Sequence, residues 1–514
     1  MSSRDAAQDG SRAAHAAQGI SSDIARSAPW GLCALLLAAF FASPYLPMVD
    51  LPQHAAQISV WLRLDDPAFS YSQLFELNLR TPYLTAYFAA RLLASLVGVV
   101  AALKLVVWAS AVLHLVAFSR LVRRLGHPSW LGLLGLPLGL GYPFYFGIVS
   151  FAAAVPIVLF SISAALDHRE RATLRTGATL AAWLCFTLVS HGFAAGVAVM
   201  LVAPLLLRGA GRLVVRLWPL GGPLVLWAAW ILPAGSVRTI GATVWAPRFV
   251  ELLGAPSLWF ASSAADHLAV AFGYAALSLV ALGLGAPRRE PERWAPLALS
   301  VLGFCSFPLM LSGFGPLHPR FAAFFVPALL LAFEPRRAPR SRKVALAVVG
   351  LCASWFTVLV VRLHGFTGET RAVREFIART PSSLSVRPIV FERNSSAFPG
   401  LPALLHLSAY YMVEKGGIQG YSFAMYPTSV IRYVPTFVPG MGGGAEWHPE
   451  SFSADAEITA YDCFLVHSSE DPAPIFGDRI ADVTLDFHAD GWWAYRSTKL
   501  EAALERTESP WTTR

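Results

Sequence analysis

The sequence predicts an α-helical polytopic membrane protein of about eleven transmembrane helices, followed by a small C-terminal α/β domain outside the membrane. Three observations carry that prediction. The chain of 514 residues is 55% hydrophobic and 14% charged, where a soluble domain would be about 25% charged, and its mean hydropathy is +0.52. Its arginines fall in short clusters between apolar runs. Beyond residue 362 the apolar character collapses into mixed sequence.

Residues 1–29 are rich in Ala, Ser, Gln and Asp with scattered Arg, which reads as a disordered cytoplasmic tail. The run 30–47 carries no charge and is long enough to cross a bilayer. A cleaved leader ending near Ala42 would be unusually long and polar, so the run is read as the first span.

The basic clusters decide the count of the remaining spans. They are Arg120, Arg123 and Arg124; Arg169, Arg171 and Arg175; Arg208, Arg212 and Arg216; Arg288, Arg289 and Arg293; and the run 336–343. If all are cytoplasmic, an even number of crossings separates neighbouring clusters. The apolar stretches allow this: hairpins at 130–145 with 147–166 and within 176–207 turning at Ser190-His191-Gly192, then spans at 219–234, 263–285, 295–312 and 321–334. A last span, 344–362, carries the chain out again. The segment 82–119 must cross once. We assign the crossing to 98–119 and read 82–97, with its tyrosines and Arg91, as a helix lying on the outer surface.

The transmembrane domain is therefore 30–362, with a first outer loop at 48–97, and the extracytoplasmic domain is 363–514. In the latter, Pro388–Phe391, Tyr461–Val466 and Trp492–Arg496 read as strands, Leu401–Glu414 as a helix, and 427–449 as a long Gly and Pro rich loop. The +8 charge balance lies in the short loops, so it reads as membrane anchoring and not as a nucleic-acid surface. The five cysteines show neither metal-ligand spacing nor a disulfide framework.

This topology gathers polar residues at the outer ends of the spans: Asp50, His54, Asp65, Asp66, Glu76, Arg80, Arg91, His191, Arg238, Arg248, Asp266, His267, His318 and Arg320. Asp50 and His54, in Asp50-Leu-Pro-Gln-His54, are the candidate catalytic pair, since a carboxylate in a half-dry site has a raised pKa and can take a proton from an incoming hydroxyl. With His54 on the same face one helical turn on, Asp50 could instead hold a divalent cation, or simply cap the helix that starts at Pro52. Candidate substrate-binding residues are Arg91, His191, Arg248, His318 and Arg320. For Arg320 and Arg248 the competing reading is snorkelling to ordinary lipid phosphates, and for His191 a satisfied structural histidine. Glu446-Trp447-His448 and His406, in the outer domain, could face the same site. Gly442-Gly443-Gly444 lacks the strand and helix that a phosphate-cradling loop needs, and Asn394-Ser395-Ser396 marks at most a surface loop.

The motif Asp50-x-Pro-x-His54 after the first span, followed by an outer loop with interfacial helices, resembles the GT-C superfamily of polytopic glycosyltransferases that use polyprenyl-phosphate sugars. Protein O-mannosyltransferases and the aminoarabinose transferase of lipid A are among its members. The resemblance extends to Ala90-Arg-Leu-Leu93, to Leu121-Val-Arg-Arg-Leu-Gly126, to Pro319-Arg320-Phe321 and to a soluble C-terminal domain. It implies a multi-pass protein of the inner (plasma) membrane with its N-terminus cytoplasmic, which moves a sugar from a polyprenyl-phosphate donor to an acceptor at the outer face of the cell envelope. Asp50 would be base or metal ligand, and Arg320 would bind the donor phosphate. The chain has a single Asp at the motif where Asp-Glu or a pair is commoner, which leaves metal dependence open. The readings from other classes are a flippase or transporter of amphiphiles, kept alive by Pro156, Pro204, Pro308 and Pro327 within spans, and a non-catalytic membrane assembly protein.

Overall fold

The structure is a computed structural model that describes residues 29–231, 243–245, 249–311, 315–336, 342–435 and 444–498; the predicted tail up to residue 28 lies outside them. Among the described residues, four helical stretches are long and apolar enough to cross a membrane: Val99–Arg124, Val149–Glu170, Leu213–Trp230 and Lys343–Arg379. Shorter apolar helices stand beside them at Pro29–Ala42, Leu84–Val97, Leu174–Ser190, Gly192–Leu206, His267–Gly283 and His318–Ala332. Outward-facing Leu92, Leu96, Val214, Val225 and Val361 stay exposed, as lipid-facing side chains do.

The basic clusters meet at one end of this bundle. Arg124 pairs with Asp167 at 2.8 Å and Glu170 at 2.7 Å, and Arg169 pairs with the buried Glu292 at 2.7 Å. At the same end Leu284–Pro287 and Phe333–Pro335 form an antiparallel pair, and His127 Nε2 reaches the Leu330 carbonyl at 2.9 Å. Asp50, His191 and the C-terminal domain occupy the other end.

The turn at His191 falls where the sequence puts it, between Leu174–Ser190 and Gly192–Leu206. The helix Leu84–Val97 lies along the Asp50 end. Its start is tied there by Ser190 Oγ donating to Thr85 Oγ1 at 2.8 Å. Its finish at Gly98, held at φ 83°, leads into Val99–Arg124, whose Lys104 donates to the Ser43 carbonyl, also at that end.

The segment expected as a regular span at 130–145 differs. It runs from the Arg124 end to the Asp50 end in three pieces, Ser129–Leu134, Gly135–Gly139 and Tyr142–Tyr145. Gly132, Gly135, Gly139 and Gly141 lie so close to neighbouring elements that a Cβ would approach Ser119, Leu115, His114 and Leu258 to 3.0 Å or less. Close packing replaces regular helix here, and Pro137 and Pro143 help to interrupt it. The last span also departs from expectation: Arg342–Glu369 continues past 362 and hands over to Arg371–Arg379 in the C-terminal domain.

That domain holds a five-stranded sheet in the order Ile418–Gln419, Ser385–Val390, Cys463–His467, Trp492–Ser497, Val483–Ala489, parallel across the first three and antiparallel across the rest. The helix expected over Leu401–Glu414 is confined to Ala409–Lys415. Residues 401–404 bond instead to the 393–395 loop, through Leu404 N–H to Arg393 O at 3.1 Å and Ser395 N–H to Leu401 O at 2.9 Å. The first outer loop and this domain are knitted together. Phe75–Leu77 pairs antiparallel with Ile431–Tyr433, Arg432 meets Glu76 at 2.6 Å, and Tyr45 stacks on Tyr410 with ring centroids 3.8 Å apart.

Candidate active site

A cavity of about 640 Å³ opens where the bundle meets the C-terminal domain, within the usual size of a ligand site. Asp50, His54, His191 and Arg320 line it from the bundle, and His406, Tyr421, Phe423, Tyr426, Trp447 and His448 from the domain.

Asp50 stands at the N-cap position of Leu51–Leu62, but its side chain makes no capping bond. Its carboxylate turns into the cavity, with Oδ1 3.9 Å from His406 Nε2. Its backbone is fixed from below by its N–H donating to Phe146 O at 3.1 Å. The chain crosses so near at Gly147, φ +83°, that a Cβ there would sit 2.5 Å from Asp50 N. Gly147→Ala is therefore expected to displace Asp50, lowering the melting temperature by several degrees and turnover at least tenfold, as read by thermal unfolding and activity of the same preparation. Burial pushes the Asp50 carboxyl up to about 6, although His406 and Arg320 pull it down. At neutral pH, above that value, Asp50 is mostly ionised and poised to accept a proton.

His54 lies one turn on, as its spacing predicts. Its Nδ1 meets the Tyr87 hydroxyl at 2.6 Å, and burial pushes the imidazole down to about 4, so it is neutral at pH 7. With Nδ1 engaged by Tyr87 and the ring also bonded to the Gly147 backbone, His54 has no nitrogen left to join Asp50 in a two-ligand cation site. Among the described residues no group of three or more His, Cys, Asp or Glu is placed to hold a metal ion, so this donor set does not fit a protein-held cation.

Arg320 is buried and tightly oriented. Nε donates to Pro316 O at 2.7 Å, Nη2 donates to Gly315 O at 3.2 Å, and the guanidinium lies over Phe151 and Phe193 at 5.5 and 5.7 Å. The third arm, Nη1, lies 3.4 Å from His191 Nε2. His191 Nδ1 accepts from Ala194 N–H at 3.4 Å, capping Gly192–Leu206. A neutral imidazole accepts at one nitrogen only. While the cap holds, Nε2 carries the proton, and His191 and Arg320 present two adjacent donors to the cavity. An anionic oxygen satisfies both.

The other candidates lie apart. His318, two residues before Arg320 in a 3₁₀ turn, points about 240° round the axis from it; it is buried against Phe304 and meets Glu251 Oε2 at 2.9 Å. Arg91 sits on Leu84–Val97 about 6 Å beyond Tyr87, one turn past the cavity lining. Arg248 and Arg238 fall outside the described residues. Asp266 caps His267–Gly283 and pairs with Arg362. The aromatic wall of Tyr421, Phe423 and Tyr426 carries no sequence signal of its own. It becomes visible only through the pairing of 431–433 with the first outer loop.

No protein-family model matches the sequence, and no curated protein matches it either. Solved structures do match in shape. ArnT from Cupriavidus metallidurans, determined bound to undecaprenyl phosphate, aligns over 90% of this chain and 97% of its own, with a TM-score of 0.52 at 11% identity. The chain shares the fold of ArnT. The arabinofuranosyltransferase AftD from Mycobacteria covers 92% of this chain with a TM-score of 0.48 at 13% identity, while this chain spans only 40% of AftD.

Proposed function

We propose that the chain is an inverting glycosyltransferase of the inner (plasma) membrane, which moves a sugar from a polyprenyl-phosphate donor to an acceptor hydroxyl in the cell envelope. Its N-terminus is cytoplasmic, its eleven crossings leave the C-terminal domain extracytoplasmic, and the cavity faces outward. The observation that supports this most is that Asp50 and Arg320, a proton acceptor and an oriented phosphate binder, line one cavity at the end of the bundle away from the basic loops. The bound undecaprenyl phosphate of ArnT, a protein of the same fold, supports the donor class.

In this reading the lipid tail lies between helices and the phosphate meets Arg320 and His191. Asp50 takes the proton of the acceptor hydroxyl while the acceptor oxygen bonds to the anomeric carbon, and the bond from that carbon to the phosphate oxygen breaks. The polyprenyl phosphate leaves with the electron pair. A phosphate is already a good leaving group, so positioning and charge stabilisation suffice. Asp50 and Arg320 are held by their own backbone contacts before any substrate arrives, so the site requires little rearrangement.

The purified protein in lipid nanodiscs, incubated with undecaprenyl phosphate and with a panel of undecaprenyl-phosphate-linked sugars, tests the proposal. Thermal stabilisation by undecaprenyl phosphate and sugar transfer or donor hydrolysis are expected. Absence of both would remove it. Because the donor set around Asp50 does not fit a protein-held cation, treatment with EDTA is expected to leave turnover within about twofold; a larger loss, restored by a divalent cation, contradicts this.

A further inference from the structure

Asp50 is not alone at the base position. Across the cavity, from the C-terminal domain, comes His406, fully buried and stacked face to face on Tyr421 with ring centroids 5.1 Å apart. Its Nδ1 lies 2.6 Å from Oε2 of Glu446, which is itself buried and accepts a second bond from Ser408 Oγ at 3.1 Å. Glu446 therefore fixes the Nδ1–H tautomer. The opposite nitrogen, Nε2, has no hydrogen-bond partner among the described residues and looks at Asp50 Oδ1 from 3.9 Å.

This geometry has a defect that a reaction would cure. With Nδ1 engaged by Glu446, Nε2 and Asp50 Oδ1 face each other in a buried site with no hydrogen bond between them, and a proton placed there gives both a partner. A gap of 3.9 Å is longer than a hydrogen bond, and catalytic hydrogen bonds of this kind tighten when substrate is bound.

We propose that His406, held by Glu446, is a positioning residue that acts through Asp50 by sharing the proton Asp50 takes from the acceptor. The inference rests on the glycosyltransferase reading above. In the step, the acceptor O–H proton passes to Asp50 Oδ as the acceptor oxygen bonds to the anomeric carbon and the phosphate leaves. That proton then lies between Oδ1 and Nε2, and the positive charge on the imidazole is balanced by Glu446. It is released to solvent as product departs. The favourable contact appears only when the proton has moved, so it stabilises the transition state and not the bound substrates. The C-terminal domain is then part of the catalytic centre as well as a cover over it.

The test compares wild type with His406→Gln, Glu446→Gln and His406→Ala in nanodiscs, using whichever undecaprenyl-phosphate-linked sugar the wild type transfers. Expected are kcat lower by about 10²-fold in His406→Gln and about tenfold or more in Glu446→Gln, with KM for both substrates within threefold of wild type. Added imidazole is expected to restore part of the rate of His406→Ala, which a purely structural histidine would not allow. Wild-type kcat in a folded His406→Gln, or equal losses of kcat and of undecaprenyl-phosphate binding with no imidazole rescue, would overturn the relay while leaving the glycosyltransferase reading intact. A wild type that transfers no sugar overturns both.

Discussion

Asp50→Asn is expected to lower sugar transfer by about 10³-fold while leaving the protein at least as stable as wild type at neutral pH. The two halves of this prediction have one cause. Asp50 is held in the cavity by its backbone bond to Phe146 and by the close pass of Gly147, so its carboxylate contributes nothing to capping its own helix. Burial raises its pKa from the ordinary 3.8 to about 6. Between those values the folded protein keeps a proton that the unfolded chain has released. The group's contribution to stability is therefore present below about pH 4 and is lost as pH rises through about 6. Above that pH, the ionised Asp50 costs folding on the order of 3 kcal/mol at most, a cost the isosteric amide avoids. A side chain that weakens the fold by being ionised, yet is fixed in place, has the signature of a functional site. The same pKa sets the direction of the pH dependence: the base works when ionised, so kcat/KM should fall as pH drops below about 6. Melting curves and initial rates between pH 5 and 8, on wild type and Asp50→Asn together, check both halves. A variant that is inactive because it is unfolded, or active and folded, contradicts the assignment.

How much of this could be read from the sequence depends on the scale at which each element is fixed. The His191 turn was legible because a polar residue and a glycine interrupt a long apolar run, and the structure turns there through a histidine cap. The side of the bundle on which Asp50, His191 and Arg320 fall was legible because arginine clusters sort the ends, and Arg124, Arg169 and Glu292 do meet at the opposite one. By contrast, 130–145 has the composition of a span; Pro137 and Pro143 mark breaks in its sequence, but the close contacts of its glycines with His114, Leu115 and Leu258 are visible only in the structure. The strand Val483–Ala489 was not anticipated, although its signal is local. Val483, Leu485 and Phe487 alternate with polar residues, and Asp490-Gly491, both at positive φ, make the hairpin turn into Trp492–Ser497. The separation of His318 from Arg320 was legible from helical geometry of either kind, since residues two apart lie about 200° round an α-helix and about 240° round a 3₁₀ turn and share a face in neither. The pairing of His406 with Asp50 joins residues 356 positions apart, and no local pattern encodes such a contact. It depends on Phe75–Leu77 finding Ile431–Tyr433 and so drawing the C-terminal domain down over the cavity.

Arg320→Ala is expected to weaken binding of undecaprenyl phosphate by about 10²-fold, and Arg320→Lys should recover little of it. The reason lies in how the guanidinium is used. Two of its three arms are spent on the backbone, Nε on Pro316 and Nη2 on Gly315, and its flat faces rest near Phe151 and Phe193. The third arm is thereby aimed beside His191 with no freedom to turn away, so the entropy of orienting it is lost on folding and not on binding. A lysine ammonium is a point charge on a flexible stem and cannot hold both carbonyls and still present a donor beside His191. Alanine leaves the carbonyls of Pro316 and Gly315 without this donor, so some loss of melting temperature accompanies the loss of affinity. His191→Ala separates the two effects. It removes the second donor while leaving the Arg320 fork on its carbonyls, and a drop of about tenfold in affinity is expected from it. Titration of each protein in nanodiscs with undecaprenyl phosphate, and with undecaprenol as the uncharged control, reads the phosphate contribution directly. If Arg320→Lys binds undecaprenyl phosphate as tightly as wild type, the phosphate does not sit on the fork. If undecaprenol binds all the proteins as well as the phosphate does, the cavity takes a lipid tail without recognising its charge, and the donor reading loses its support at Arg320.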